Sequence, residues 1–131
     1  MSAKDHIAVR EVMTKSPLVI DGLASVAQAA AMMREKGVSS LVVDKRDDRD
    51  EYGILAIHDI ASEVVAHNRA ADRVNVYEIM SKPVISVDVD MNVKYAVRLL
   101  TRFNLTRALV LESGHVAGIV TLRDLVLRTL S

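Results

Sequence analysis

The chain contains no cysteine and no tryptophan, and among its 131 residues only three tyrosines and one phenylalanine supply aromatic rings. Without cysteine there is no disulfide, no thiolate nucleophile and no cysteine-ligated zinc, and the chain suits a reducing cytoplasm. It also lacks net charge: 17 Lys and Arg stand against 17 Asp and Glu. That balance excludes the broad basic face with which nucleic-acid binders meet phosphate backbones. No apolar run approaches the ~18 residues of a membrane span, and the opening Met1-Ser-Ala-Lys-Asp-His6 has no signal-peptide core. The expectation is a soluble cytoplasmic protein. Its histidines, His6, His58, His67 and His115, form no metal-ligand spacing, and its five glycines form neither a Walker loop nor Gly-x-Gly-x-x-Gly. Neither a catalytic nor a metal site is therefore expected.

Half of the residues are hydrophobic, mostly aliphatic, and they are arranged twice over. Val9-Arg-Glu-Val-Met-Thr-Lys15 matches Val76-Tyr-Glu-Ile-Met-Ser-Lys82, 67 residues on. At the same offset Asp21 meets Asp88, Val26 meets Val93, Ala29 meets Ala96 and Val43 meets Val110. Gly53-Ile-Leu-Ala-Ile-His-Asp59 then matches Gly118-Ile-Val-Thr-Leu-Arg-Asp124 at an offset of 65. The slip of two falls in Lys45–Glu51, a mixed-sign stretch that reads as a solvated hairpin tip, where length changes cost little. Two motifs in one order, with matching apolar columns between them, establish an internal duplication.

Each repeat reads as β-α-β-β-α. A turn ending in Met13 or Met80 leads into an extended stretch, Pro17–Ile20 or Val84–Val87. A helix follows, opened by Ser25 with Gln28 in capping-box spacing or by Asn92, and closed by Gly37 or, at the matching position, Asn104. Leu41–Val43 and Leu109–Leu111 are aliphatic enough for strands buried on both faces. Ile54–Ile57 and Ile119–Leu122 come next, and a last helix begins near Asp59 or Asp124. A half of about sixty residues leaves apolar surface that its twin is needed to cover.

These residues resemble a tandem pair of CBS domains, the Bateman module: two copies of Val-x-Glu-Val/Ile-Met-Ser/Thr, a helix, an aliphatic strand and a Gly-Ile motif ending in Asp. The resemblance spans residues 7–67 as a first repeat and 74–131 as a second. It implies an α/β (α+β) fold in which the two β-α-β-β-α repeats pack sheet to sheet about a pseudo-twofold axis, leaving two clefts. It further implies a regulatory module rather than an enzyme, with an adenosine nucleotide such as AMP, ADP or ATP as ligand, or S-adenosylmethionine or NAD. Association as a homodimer and an unidentified regulated protein complete what it implies. A structural module for dimerisation or partner docking, with degenerate clefts, is the alternative.

Thr121-Leu-Arg-Asp124 carries the physical case for a ligand. A helix start offers free N–H groups to an anion, the Thr121 hydroxyl can donate, and the Asp124 carboxylate can accept from both ribose hydroxyls. The same spacing also describes a helix cap, and both roles can coexist. In the first repeat Ala56-Ile-His-Asp59 keeps the carboxylate and loses the hydroxyl, with His58, like Arg123 in the second repeat, a possible donor. By the family's pseudo-symmetry Ser16, Leu18, Val38 and Ser39 face Thr121 and Asp124, with Arg107 turned to the phosphates. Pro83, Ile85, Leu105 and Thr106 face Asp59. Leu18, Val38, Ile85 and Leu105 read equally well as plain core. The cleft of Asp124 is expected to be the better equipped.

Overall fold

The computed structural model describes residues 6–82 and 84–131. The chain forms two compact units, and their boundaries cut across the repeats. One unit is continuous, Leu18–Val84; the other is split, combining the segment up to Pro17 with Ile85–Ser131.

In the continuous unit, strand β2 (Val19–Ile20) runs parallel to β3 (Ser40–Val43), which pairs antiparallel with β4 (Gly53–Ala56). Helix α1 (Val26–Lys36) starts on the expected capping box. Ser25 Oγ accepts from the Gln28 N–H at 3.1 Å, and Gln28 Oε1 accepts from the Ser25 N–H at 2.8 Å. Gly37 ends the helix at φ 66°, the left-handed conformation that glycine adopts without a Cβ clash. Val26, Ala29 and Met33 face a core completed by Leu41, Val43, Leu55, Ile60 and Val64.

The split unit repeats the plan. Strand β5 (Ser86–Asp88) is parallel to β6 (Arg107–Glu112), and β6 is antiparallel to β7 (His115–Thr121). Asn92 Oδ1 accepts from the Lys94 N–H at 2.9 Å to open helix α4 (Val93–Arg102). After α4, Asn104 takes φ 54° where Gly37 stands in the other unit, one of the few side chains that tolerates that conformation. Val93, Ala96, Leu100, Leu109, Val110 and Leu125 are each at most 2% exposed. Burial of this kind stabilises by roughly 1.5–3 kcal/mol per large aliphatic side chain.

The duplicated Val-x-Glu-Val/Ile-Met motif acquires a physical meaning here. It folds as a single turn, Val9–Glu11 in one copy and helix α3 (Val76–Ile79) in the other. The carboxylate of Glu11 accepts from the Ala8 N–H, and that of Glu78 from the Asn75 N–H, both at 2.8 Å. Each glutamate thus satisfies a backbone donor that so short a helix leaves open. The valine of each copy is fully buried.

Each copy of this turn packs with the sheet of the other repeat. Strand β1 (Thr14–Lys15) follows the first turn and pairs antiparallel with Ile119 and Gly118 of β7. Ser81, after the second turn, bridges Ile54 of β4. The glycine of each Gly-Ile motif makes that approach feasible. A Cβ on Gly118 would lie 2.5 Å from the Thr14 carbonyl oxygen and 2.9 Å from Met13 Sδ; on Gly53 it would lie 2.9 Å from Met80 Sδ and 3.2 Å from the Ser81 carbonyl. The two duplicated halves of the pattern, Met-Ser/Thr and Gly-Ile, are therefore packing partners across the repeat boundary.

Candidate functional site

In the split unit, β7 ends at Thr121 and helix α5 (Leu122–Leu130) begins at the next residue. The Leu122 N–H donates to the Thr106 carbonyl at 2.8 Å, which ties the start of α5 to the loop that enters β6. Across the β6–β7 ladder the Cα partner of Thr121 is Arg107, so both side chains project from the same face. Arg107 is half-buried and has no ion-pair partner among the described residues. The strand pairing that carries Thr106, Arg107 and Thr121 thus gathers a carbonyl, a cation and a hydroxyl beside a helix start. Ile85 lies on the neighbouring strand position, its carbonyl accepting from the Leu109 N–H at 3.0 Å, and its side chain packs on the core. Leu105 and Thr106 are exposed.

Thr121 caps α5: its Oγ1 accepts from the Asp124 N–H at 3.1 Å. Acceptance leaves the hydroxyl proton free to donate to something else. The Asp124 carboxylate accepts from no backbone N–H among the described residues. Its neighbour is the Arg123 guanidinium at 3.5 Å, whose side chain is 79% exposed.

The matching helix start in the continuous unit is built differently. Helix α2 (Ile57–Ile60) follows β4 and passes at once into a π-helical turn, Ala61–Val65. Ala56 has no side-chain acceptor, and Asp59 Oδ2 accepts from the Ala56 N–H at 2.8 Å. One oxygen of the carboxylate expected to meet a ribose is taken by its own backbone. His58 is exposed. Ser39 repeats the role of Thr106, its carbonyl accepting from the Ile57 N–H at 2.9 Å, and the Leu18 carbonyl accepts from the Val42 N–H. Leu18 and Val38 pack against the core of this unit. Ser16 belongs to the split unit, at φ 51° after β1. Because β1 runs from Ile119 towards Gly118, it carries Ser16 away from Thr121. Pro83 lies outside the described residues.

One expectation is corrected. The Lys45–Glu51 loop is not uniformly solvated: the Asp50 side chain is only 7% exposed. It is ion-paired with Lys82, and its Oδ2 accepts from the Arg46 backbone N–H at 2.9 Å and from Arg46 Nε at 3.2 Å. Lys82 chiefly, then these Arg46 donors, hold the Asp50 carboxyl far below the usual carboxylate range. Local sequence shows only alternating charges there; the partner that buries Asp50 comes from the second copy of the Met-Ser/Thr-Lys motif.

No group of three or more His, Cys, Asp or Glu side chains is placed to hold a metal ion among the described residues. Among those residues, too, no helix is long and apolar enough to cross a membrane.

The family profile of the CBS domain matches this chain twice, at residues 9–66 and 76–130. An uncharacterized protein of Methanopyrus kandleri is 35% identical over 92% of this chain and 59% of its own length. An uncharacterized protein of Thermofilum pendens is 28% identical over 97% of this chain and 45% of its own. The chain therefore spans about half of such curated relatives. Among solved structures, the hexameric CBS-CP12 protein from bloom-forming cyanobacteria is 34% identical with a TM-score of 0.88, over 92% of this chain and 67% of that one. A CBS domain pair crystallised in complex with 5′-methylthioadenosine and S-adenosyl-L-methionine has a TM-score of 0.77 at 24% identity, over 92% and 94%.

Proposed function

The chain belongs to the CBS-domain family, as two tandem copies that make a Bateman module, and from that premise we propose that it is a regulatory module binding an adenosine nucleotide. The observation that carries the reading is Arg107: a half-buried residue without an ion-pair partner among the described residues, in register with Thr121 at the head of α5. A cation placed so gains from an anion that meets it. Phosphate oxygens would accept from Arg107, from the Thr121 hydroxyl and from the N–H groups of the first turn of α5. The Asp124 carboxylate, free of the backbone, would accept from the ribose hydroxyls. The slot for the base, assigned by the resemblance to Leu18, Val38 and Ser39, and the second, weaker site of Asp59, His58, Ile85, Leu105 and Thr106 belong to the same proposal. That the fold can carry adenosine ligands is supported by the pair holding 5′-methylthioadenosine and S-adenosyl-L-methionine.

Binding would act on a regulated protein by population shift. A ligand changes the conformation its partner reads only to the extent that it binds one arrangement better, typically by ~1–3 kcal/mol. Homodimerisation is part of the proposal. It is favoured by Val126, Leu127 and Leu130 on α5, with Tyr95 on α4, which are 36–79% exposed, an apolar surface large for a helix end left in water.

Titration calorimetry with AMP, ADP, ATP, S-adenosylmethionine and NAD tests the reading. At least one ligand should bind, and Asp124→Ala should weaken it tenfold or more, as loss of a charge-assisted hydrogen bond does. No heat at millimolar ligand across the panel would leave the dimerising, partner-docking role in its place.

A further inference from the structure

The continuous unit carries a cavity of about 780 Å³ away from any residue assigned above to the nucleotide, within the size range of small-molecule sites. Its twin in the split unit is closed by the protein itself. There Val89 is buried at 2% exposure, its carbonyl accepts from the Arg10 N–H at 3.0 Å, and the Arg10 guanidinium is bonded to Asp90 at 3.0 Å and to Glu112 at 3.1 Å. At the corresponding positions the continuous unit has Gly22 for Val89, Tyr77 for Arg10, Leu23 for Asp90 and Lys45 for Glu112. Removing the valine opens the floor. Exchanging the ion pair for Leu23 and Tyr77 replaces that charged cover with two apolar side chains left 72% and 51% exposed.

The charges around this cavity fall into two poles. Asp21 and Asp44 stand side by side, each one residue past Ile20 and Val43, the last partners of the parallel β2–β3 pair. Each carboxylate spends one oxygen on a local N–H, that of Leu23 at 2.7 Å and that of Lys45 at 2.8 Å, and neither has an ion-pair partner among the described residues. On the β4 side Lys82 and Arg46 share the single carboxylate of Asp50, which leaves one positive charge over. Lys45, the remaining cation of the lining, sits over the Tyr52 ring at 5.0 Å. An anion alone would meet Asp21 and Asp44, and a cation alone would meet Lys82 and Arg46.

We propose that this cavity binds a small zwitterion with an apolar body, of the free apolar amino-acid type. The ammonium lies between Asp21 and Asp44, the carboxylate turns to Lys82 and Arg46, and the side chain rests between Leu23 and Tyr77. The site is separate from the proposed nucleotide site, so failure of one leaves the other standing.

Calorimetry with leucine, methionine and phenylalanine, each alongside its methyl ester and its N-acetyl derivative, tests the assignment. At least one free amino acid should bind, with ester and N-acetyl forms at least tenfold weaker. Gly22→Val copies the residue that fills the twin and adds a Cβ at ordinary contact distances, 3.4 Å from the Tyr77 Cβ and 3.5 Å from Val43. It should abolish this binding while the circular dichroism spectrum and any nucleotide binding persist. Should Gly22→Val fail to fold, Asp44→Asn, at an exposed position, should weaken the amino acid at least tenfold. Silence of all three amino acids at 10 mM (about the weakest binding the method reads), equal binding of the blocked forms, or undiminished binding in the folded variant would overturn the proposal.

Discussion

The starts of α2 and α5 occupy the same place in the two repeats and hold the same aspartate, yet the aspartates do different work. In α5, Thr121 caps the helix and leaves the Asp124 carboxylate clear of the backbone. In α2, where Ala56 offers no cap, Asp59 turns back onto the Ala56 N–H. The two bonds are separate, since Ser25 caps α1 while Gln28 also turns back onto the Ser25 N–H. The start of α2 thus differs from that of α5 twice over, offering no hydroxyl and one carboxylate oxygen fewer.

The largest effect that bears on the comparison of the two units is expected at their glycines. Gly118→Ala forces a Cβ against the Thr14 carbonyl, a backbone atom held by the β1–β7 pair, whereas the corresponding atom at Gly53 has more room. Gly118→Ala should destabilise by about 3 kcal/mol and Gly53→Ala by about half as much, within the range of overpacked cores, as read from urea midpoints. Equal losses would break the structural inequality of the units.

Next in size is the exchange of roles between the acids. Asp59→Ala should lower stability by about 1 kcal/mol, the usual cost of a lost helix-end hydrogen bond, and leave nucleotide affinity nearly intact. Asp124→Ala should do the reverse. Ala56→Thr sharpens the same contrast from the other side. By supplying the missing cap it should raise stability by about 0.5–1 kcal/mol, and a titration should show whether the added hydroxyl strengthens the second site.

The smallest effect is a dependence on pH confined to the continuous unit. Asp50 has its folded pKa depressed by Lys82, so its contribution is fully present above its unfolded value of about 3.9 and is lost as pH falls below that towards the folded value. Denaturation midpoints measured between pH 5 and pH 2 should therefore drop in the parent, and Lys82→Met should flatten that drop. A parallel fall in both proteins would show that Asp50 is not the group responsible.

The elements were legible in the sequence wherever neighbours in the chain decide the structure. Ser25 with Gln28, Asn92, Gly37 and Asn104 mark helix ends through contacts spanning two to five residues, and each does so in the structure. What could not be read depends on distant partners. Nothing local distinguishes a Thr14-Lys15 strand that pairs within its own repeat from one that pairs with β7. Asp50 looked solvated because Lys82 is far along the chain, and Asp59 looked free because its spacing does not decide whether a carboxylate turns back or outward. At the candidate site, the residue types of Thr121, Asp124 and Arg107 were legible, while the register that sets Arg107 opposite Thr121 came from the β6–β7 hairpin.

The exchange of the Met-Ser/Thr segments also orders events in time. During synthesis every partner needed by the continuous unit has been made once Val84 is out: its ladders pair residues no further apart than Val19 and Val42, and its longest bridge joins Ser25 and Asn75. The split unit has to wait: Thr14 precedes its partner Ile119 by more than a hundred residues. Its closing contact is a long-range one, slow to form because a large loop must be gathered first. The segment around Met13, with the Val9 that the folded chain buries, spends that interval without the sheet it joins.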